Sequence, residues 1–282
     1  MKKVKLKAYA KINLTLDVGQ KKEGYHPINS LVSSIDVCDE IQINKRNDDK
    51  ITLTEKGLSA GCSVMENNAY KTAKMFMEKY NTCGVDIYIN KKIPVGGGLG
   101  GSSADIAGVL NGLAKLFEIN EDVSSISDVL ASDATYMLKG GYAVISDRGN
   151  TVKYIDSKKV FYLLLITNEK QILAKDSYRA FDELKKESSC LTEKAVDCLM
   201  QDKREEFIAS LGNDLYLPSL SILPEMETEL ADLIGAGANA SLMTGSGSVV
   251  YGVFEKAKNR NKAYKLLVNK YPNRLIKSKT KK

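Results

Sequence analysis

The chain has a single histidine, His26, in 282 residues, which rules out a multi-histidine metal site and speaks against a histidine-based catalytic triad. Its five cysteines, Cys38, Cys62, Cys83, Cys190 and Cys198, are odd in number and none are spaced as CxxC, which predicts free thiols rather than disulfides or a zinc site. No apolar run approaches the ~20 residues of a membrane span; the longest, Val160 to Ile166, reads as a buried strand. Lys5, Lys7 and Lys11 interrupt any signal-peptide core behind Met1, and both features point to the cytoplasm and away from a membrane. No basic stripe with interleaved aromatics is visible, which speaks against nucleic acid as a partner. The net charge of +6 owes much to the tail, Lys277-Ser278-Lys279-Thr280-Lys281-Lys282, expected as a solvated, frayed end. Such a mildly basic chain suits a polyanionic small-molecule substrate.

What the sequence does have is Pro94-Val95-Gly96-Gly97-Gly98-Leu99-Gly100-Gly101-Ser102-Ser103-Ala104-Asp105. It lies between a strand-like run, Val85 to Ile89, and a helix-like run, Ile106 to Phe117. Glycines let a backbone approach a ligand closely and adopt positive φ. The helix behind them offers unpaired N–H groups and the positive end of its dipole. The combination is an anion site, most naturally for phosphate. A Walker loop is excluded because no lysine occurs between Pro94 and Lys115. A dinucleotide fold would place its glycines after the first strand, with an acid about 20 residues on. Leu99 and the helix-forming run do not suit a flexible linker.

Alternating patterns predict strands at Val4–Ala8, Ile12–Val18 and Leu31–Ile43, the last broken by Asp39-Glu40. Helical spacing covers Ala69–Tyr80, Val123–Leu130, Asp176–Lys186, Thr192–Met200, Lys203–Leu211, Glu225–Ile234 and Ala257–Tyr271. Strands and helices mix without strict βαβ order, which gives an α+β class. Arg148-Gly149-Asn150 is a candidate edge between two domains, 1–152 and 153–282.

Four further segments have a chemical and a plain reading. Lys11, among apolar neighbours, is either a buried functional cation or an edge-strand lysine turned to solvent. Gly24-Tyr25-His26-Pro27 is either a recognition loop or turn chemistry with Tyr25 packed on the body. Asp133, after a helix, is either a catalytic acid/base or an N-cap. Thr244-Gly245-Ser246-Gly247-Ser248 is a glycine hairpin, whether or not it also serves a site.

The glycine loop, as Pro-x-x-x-Gly-Leu-Gly-x-Ser-Ser-Ala, resembles the phosphate loop of the GHMP kinases (galactokinase, homoserine, mevalonate and phosphomevalonate kinases). Ala10-Lys11-Ile12-Asn13-Leu14, Glu23-Gly24-Tyr25-His26, Ser132-Asp133-Ala134 and Thr244-Gly245-Ser246-Gly247, in this order, resemble one branch of it. Tyr178-Arg179-Ala180-Phe181-Asp182 and Asn213-Asp214-Leu215 resemble it too, so the likeness covers nearly the whole chain. That branch phosphorylates a cytidine-diphosphate-linked methylerythritol in the non-mevalonate route to isoprenoid precursors. The resemblance implies a two-domain fold with its site in the cleft between domains. It implies ATP with Mg²⁺ as cosubstrate, and a monomer or weak homodimer.

Residue by residue, the resemblance makes Lys11 and Asp133 catalytic. It assigns Pro94, Gly96, Gly97, Gly98, Leu99, Gly100, Gly101, Ser102, Ser103 and Ala104 to the ATP phosphates, and Asn68 and Lys91 to the neighbourhood of adenine. Tyr25 and His26 would meet cytidine, Tyr178 would be a second stacking ring, and Asn13 would reach the methylerythritol or cytidine end; no metal ligand is implied. Two departures stand out. The family's Gly-Ala-Asp-Val-Pro is Ala131-Ser132-Asp133-Ala134-Thr135 here, and its Ser-Thr before the tyrosine is Leu173-Ala174. A GHMP kinase for another alcohol, or a non-catalytic nucleotide-binding relative, stays open at this point.

Overall fold

The computed structural model describes residues 2–58, 61–185 and 187–281. In chain order the elements are β1 (Lys3–Asn13), β2 (Thr15–Val18), β3 (Ile28–Lys45), β4 (Ile51–Gly57), α1 (Asn68–Tyr80), β5 (Val85–Lys91), α2 (Gly101–Phe117), α3 (Ser124–Leu130), α4 (Ser132–Met137), β6 (Tyr142–Asp147) and β7 (Thr151–Ile155). They continue as β8 (Tyr162–Ile166), α5 (Ala174–Leu184), α6 (Thr192–Met200), α7 (Arg204–Ala209), β9 (Gly212–Asn213), α8 (Tyr216–Ile222), α9 (Glu225–Gly235), β10 (Ala240–Met243), β11 (Val250–Phe254), α10 (Ala257–Leu267) and β12 (Leu275–Lys279). The class is α+β. The chain forms two compact units: Met1–Ala10, Val37–Val95 and Gly100–Lys139; and Lys11–Asp36, Gly96–Leu99 and Gly140–Lys282. Arg148-Gly149-Asn150 is the β6–β7 turn, inside the second of these. No helix among the described residues is long and apolar enough to cross a membrane.

In the first unit, β5 runs antiparallel to the end of β3, from Glu40↔Asn90 to Lys45↔Val85, and parallel to β4. Alternation in β5 buries Val85, Ile87, Ile89 and Lys91 and turns Tyr88 and Asn90 outward. Helix α2 lies close against α1 and against strands β1 and β3, with Ile106, Val109, Leu110 and Leu113 all fully buried, each worth ~1.5–3 kcal/mol against exposure. Gly108 permits this closeness: a Cβ there would stand 2.6 Å from Ile41 Cδ1 and 3.0 Å from Ala8 Cβ. Helix α1 starts at Asn68 because Asn67 caps it, its side chain accepting the Ala69 N–H at 2.9 Å.

Strand β3 is continuous through Asp39-Glu40, contrary to the break expected there. Asp39 is fully buried because Lys91 and the backbone N–H groups of Lys92 and Ile93 satisfy its carboxylate.

In the second unit, an antiparallel sheet runs β10-β11-β8-β12. A core of Leu164, Ile166, Phe181, Met226, Leu233 and Phe254 joins it to its helices. Strand β6 pairs antiparallel with the first half of β3, Ile28↔Asp147 to Ser33↔Tyr142.

The expected frayed tail is instead strand β12, paired antiparallel with β8. Alternation explains it: Lys277 and Lys279 point to solvent while Ser278 and Thr280 are buried. Ser278 Oγ donates to Asp36 at 2.6 Å, and Thr280 Oγ1 accepts from Tyr142 Oη at 2.9 Å and Phe161 N at 3.0 Å. Short hydroxyl side chains facing inward let a lysine-rich segment close a sheet. Lys282 lies outside the described residues.

Candidate functional site

The site is built around the connection from β5 to α2. Gly96, Gly98 and Gly100 take φ of 68°, 78° and 71°, left-handed values that L side chains rarely adopt. Gly98 is constrained twice, since a Cβ there would also lie 2.1 Å from Thr244 O. The helix begins at Gly101, five residues before the helix-like run that opens at Ile106 in the sequence. Ser102 and Ser103 therefore sit in its first turn, and Ser102 Oγ accepts from Asn68 Nδ2 at 2.8 Å. Gly100 caps the helix with no side-chain hydrogen bond. No side chain caps the first turn of this 17-residue helix, and uncapped first-turn amides with the helix dipole suit an anion.

The second unit holds the middle of the loop. Gly97 O accepts from Val249 N at 3.3 Å, Gly98 O from Thr244 Oγ1 at 3.2 Å, and Leu99 O from Lys11 N at 3.0 Å. The Thr244–Ser248 turn between β10 and β11 is therefore the bed on which Gly96–Leu99 lie. The sequence leaves open whether this glycine hairpin also serves the site; the contacts of Thr244 give it that supporting role.

Lys11 is buried on β1, so the solvent-facing reading does not hold. Its ammonium donates to Asn13 Oδ1 at 2.8 Å. Asn13 Oδ1 also accepts from Gly245 N at 2.9 Å, and Asn13 Nδ2 donates to Ser30 Oγ at 2.8 Å. Asn13 thus aims the Lys11 ammonium and pins the 244–245 turn.

Asp133 is half-buried in the first turn of α4, within the first unit. The N-cap of α4 is Ala131, so Asp133 is not the cap. Ala131 has φ −164°, extended backbone that needs no glycine. Thr135 binds Asp128 and Ser127, tying α4 to α3. The two departures around Asp133 therefore leave its helix intact.

Tyr25, His26 and Tyr178 are brought together in the second unit. The His26 ring stacks on Tyr178, 5.5 Å between centroids and 16° between planes, with Phe181 at its edge. His26 Nδ1 is 2.9 Å from Gly19 O, and Nε2 is 2.9 Å from Asp182 Oδ1, at ion-pair distance but misaligned for a hydrogen bond. A hydrogen bond from Lys21, aided by the charge of His26, holds the Asp182 carboxyl below its usual range. Tyr25 sits in a two-residue turn, its Oη donating to Asp147 at 2.8 Å and its ring under the Arg148 guanidinium at 4.1 Å. Asp182, Asp147 and Arg148 are supports that sequence reading did not pick out.

Lys91, assigned to the adenine neighbourhood, is buried between Asp39 and Asp105, both of which accept from its Nζ. Among the described residues, no group of three or more His, Cys, Asp or Glu is placed to hold a metal ion.

Residues 67–142 match the family model for the GHMP kinases N terminal domain. The 4-diphosphocytidyl-2-C-methyl-D-erythritol kinase of Desulfitobacterium hafniense is 34% identical over 268 residues, 92% of this chain and 90% of that protein. A crystal structure of 4-(cytidine 5'-diphospho)-2C-methyl-D-erythritol kinase superposes with TM-score 0.84 at 24% identity, covering 99% of this chain and all of that one. The L. major mevalonate kinase in complex with R-mevalonate gives TM-score 0.78 at 14% identity, over 99% and 97%. These folds alone do not separate the branches of the superfamily; identity along the chain does, and the protein belongs to the 4-diphosphocytidyl-2-C-methyl-D-erythritol kinase family of GHMP kinases.

Proposed function

We propose that the protein transfers the γ-phosphoryl group of ATP to the 2-hydroxyl of 4-diphosphocytidyl-2-C-methyl-D-erythritol. The observation that carries the phosphoryl chemistry is the α2 N-terminus, uncapped by any side chain behind three left-handed glycines. Amides from Gly96 to Ser103 would bind the ATP phosphates, with the Ser103 hydroxyl beside them. Mg²⁺ would come with ATP as part of the substrate and would supply neutralisation of phosphate charge.

Phosphoryl transfer asks for alignment and charge neutralisation more than for covalent chemistry. Asp133 would orient the acceptor hydroxyl and take its proton. Lys11, its ammonium fixed by Asn13, would steady the oxyanion that develops on the acceptor oxygen. Tyr25 and the His26–Tyr178 stack supply aromatic faces suited to a pyrimidine base. The His26 nitrogens already face Gly19 O and Asp182, so the imidazole serves that base with its ring held in place.

The test is ATP-coupled turnover with the cytidine compound beside mevalonate, homoserine and galactose. Turnover confined to the cytidine compound is expected. Equal or faster turnover of another alcohol would overturn the acceptor assignment, and no turnover of any would overturn the activity.

A further inference from the structure

The mechanism above makes no use of the buried cluster in the first unit. Asp39 on β3, Lys91 at the end of β5 and Asp105 on α2 are each at most 7% exposed. Two carboxylates share one ammonium. Asp105 Oδ1 is buried with no hydrogen-bond partner among the described residues. Such a cluster is a poor device for stability, since desolvation of its charges offsets much of their attraction. Its placement is what distinguishes it. Asp39 Oδ1 accepts from Lys92 N at 2.5 Å and Ile93 N at 2.8 Å, fixing the chain as it leaves β5 for the glycine loop. Asp105 stands one turn into the helix that the loop enters. A Cβ on Gly101 would lie 3.2 Å from Ile93 Cγ2 and 3.9 Å from Lys91 Nζ, so exit strand and helix start are packed together over the cluster.

We propose that Asp105 is a positioning residue for the phosphate site: through Lys91 and Asp39 it sets where the first-turn amides of α2 stand relative to the end of β5. This rests on the reading of the glycine loop as the ATP phosphate site. Asp105 touches no substrate; it acts by holding both ends of the loop.

A structural role and a positioning role predict opposite stability results. Burial pushes the Asp105 carboxyl up, opposed by Lys91 and reinforced by the charge of Asp39, to about 7. Those two are the charged groups acting on it. With a folded value above the unfolded one, Asp105 favours folding below the ordinary carboxylate range, and that contribution is lost as pH rises through about 7. Asp105→Asn, neutral throughout, removes this loss. At pH 8 the variant should melt no lower than wild type. Its affinity for ADP with Mg²⁺ should nonetheless fall fivefold or more in isothermal titration, with the Asp105→Glu variant partly restoring it.

ADP affinity within twofold of wild type overturns the proposal. So does a melting temperature at pH 8 that falls along with binding, because the role would then be structural. Wild type that binds no ADP sinks the phosphate-site reading itself, whichever acceptor is used, and the inference with it. If Asp105→Asn does not yield folded protein, Asp39→Asn takes its place, since it keeps an oxygen for the Lys92 and Ile93 amides. The same fivefold loss at unchanged melting supports the proposal and its absence overturns it.

Discussion

Asp133 and Lys11 carry the chemistry in this reading, and each has a substitution that tests its role without emptying a core. Asp133 is half-buried in the first turn of α4, so Asp133→Asn keeps the shape and removes the base. Turnover should fall ~10²–10⁴-fold with ATP affinity nearly unchanged. Single-turnover phosphorylation measured beside ATP titration checks both, and a variant within threefold of wild type removes Asp133 from the mechanism. Lys11→Met leaves Asn13 Oδ1 its bond to Gly245 N, so the 244–245 turn should persist. If the ammonium meets charge that grows in the transition state, kcat should drop by more than KM rises. A change confined to KM would make Lys11 a binding residue. The lysine, the aspartate and the glycines were legible because their residue types are rare in those settings. Asp182 and Asp147 were not, because a surface acid has many ordinary uses, and only the folded chain shows which side chain it holds.

At the scale of the element, helix α5 carries the ring that stacks on His26, and its start shows a departure from the family pattern. Leu173 occupies the N-cap with φ −73° and ψ 134°, makes no capping hydrogen bond and is 53% exposed. That backbone suits a serine, whose hydroxyl would accept a first-turn N–H. Leu173→Ser should therefore stabilise the protein by ~1 kcal/mol in urea unfolding, with little apolar burial lost. An unchanged or lower midpoint would mean that Leu173 makes a contribution other than capping. Helices α1 and α2 lay close to their expected spans because period and flanking residues agree there. The α2 start lies five residues before the helix-like run because glycine, a poor helix former, reads as loop. Its place in the first turn is dictated by packing on Ile93, a long-range fact.

For the whole molecule, the mixing of strands and helices gave the α+β class and the order of the motifs gave the family, but neither gave the path of the last strand. The tail failed to read as structure because four of its six residues, Lys277, Lys279, Lys281 and Lys282, are lysines, and charge density masks alternation. What decides the matter is Thr280, whose buried hydroxyl oxygen accepts from Tyr142 Oη and Phe161 N. Burial without partners would also raise the cost of those two donors. Thr280→Val keeps the shape of the side chain and leaves Phe161 N without its acceptor, while Tyr142 Oη keeps Lys159 O at 3.0 Å, so it should cost ~1–3 kcal/mol for the one donor left unsatisfied. The double change Lys277→Gln with Lys279→Gln alters two solvent-facing side chains of the same strand and should fall within ~0.5 kcal/mol of wild type. Urea unfolding of both variants separates a strand that closes the second unit's sheet from a solvated end. In a solvated end neither change would matter, so a Thr280→Val variant as stable as wild type would refute the assignment of these residues to the fold.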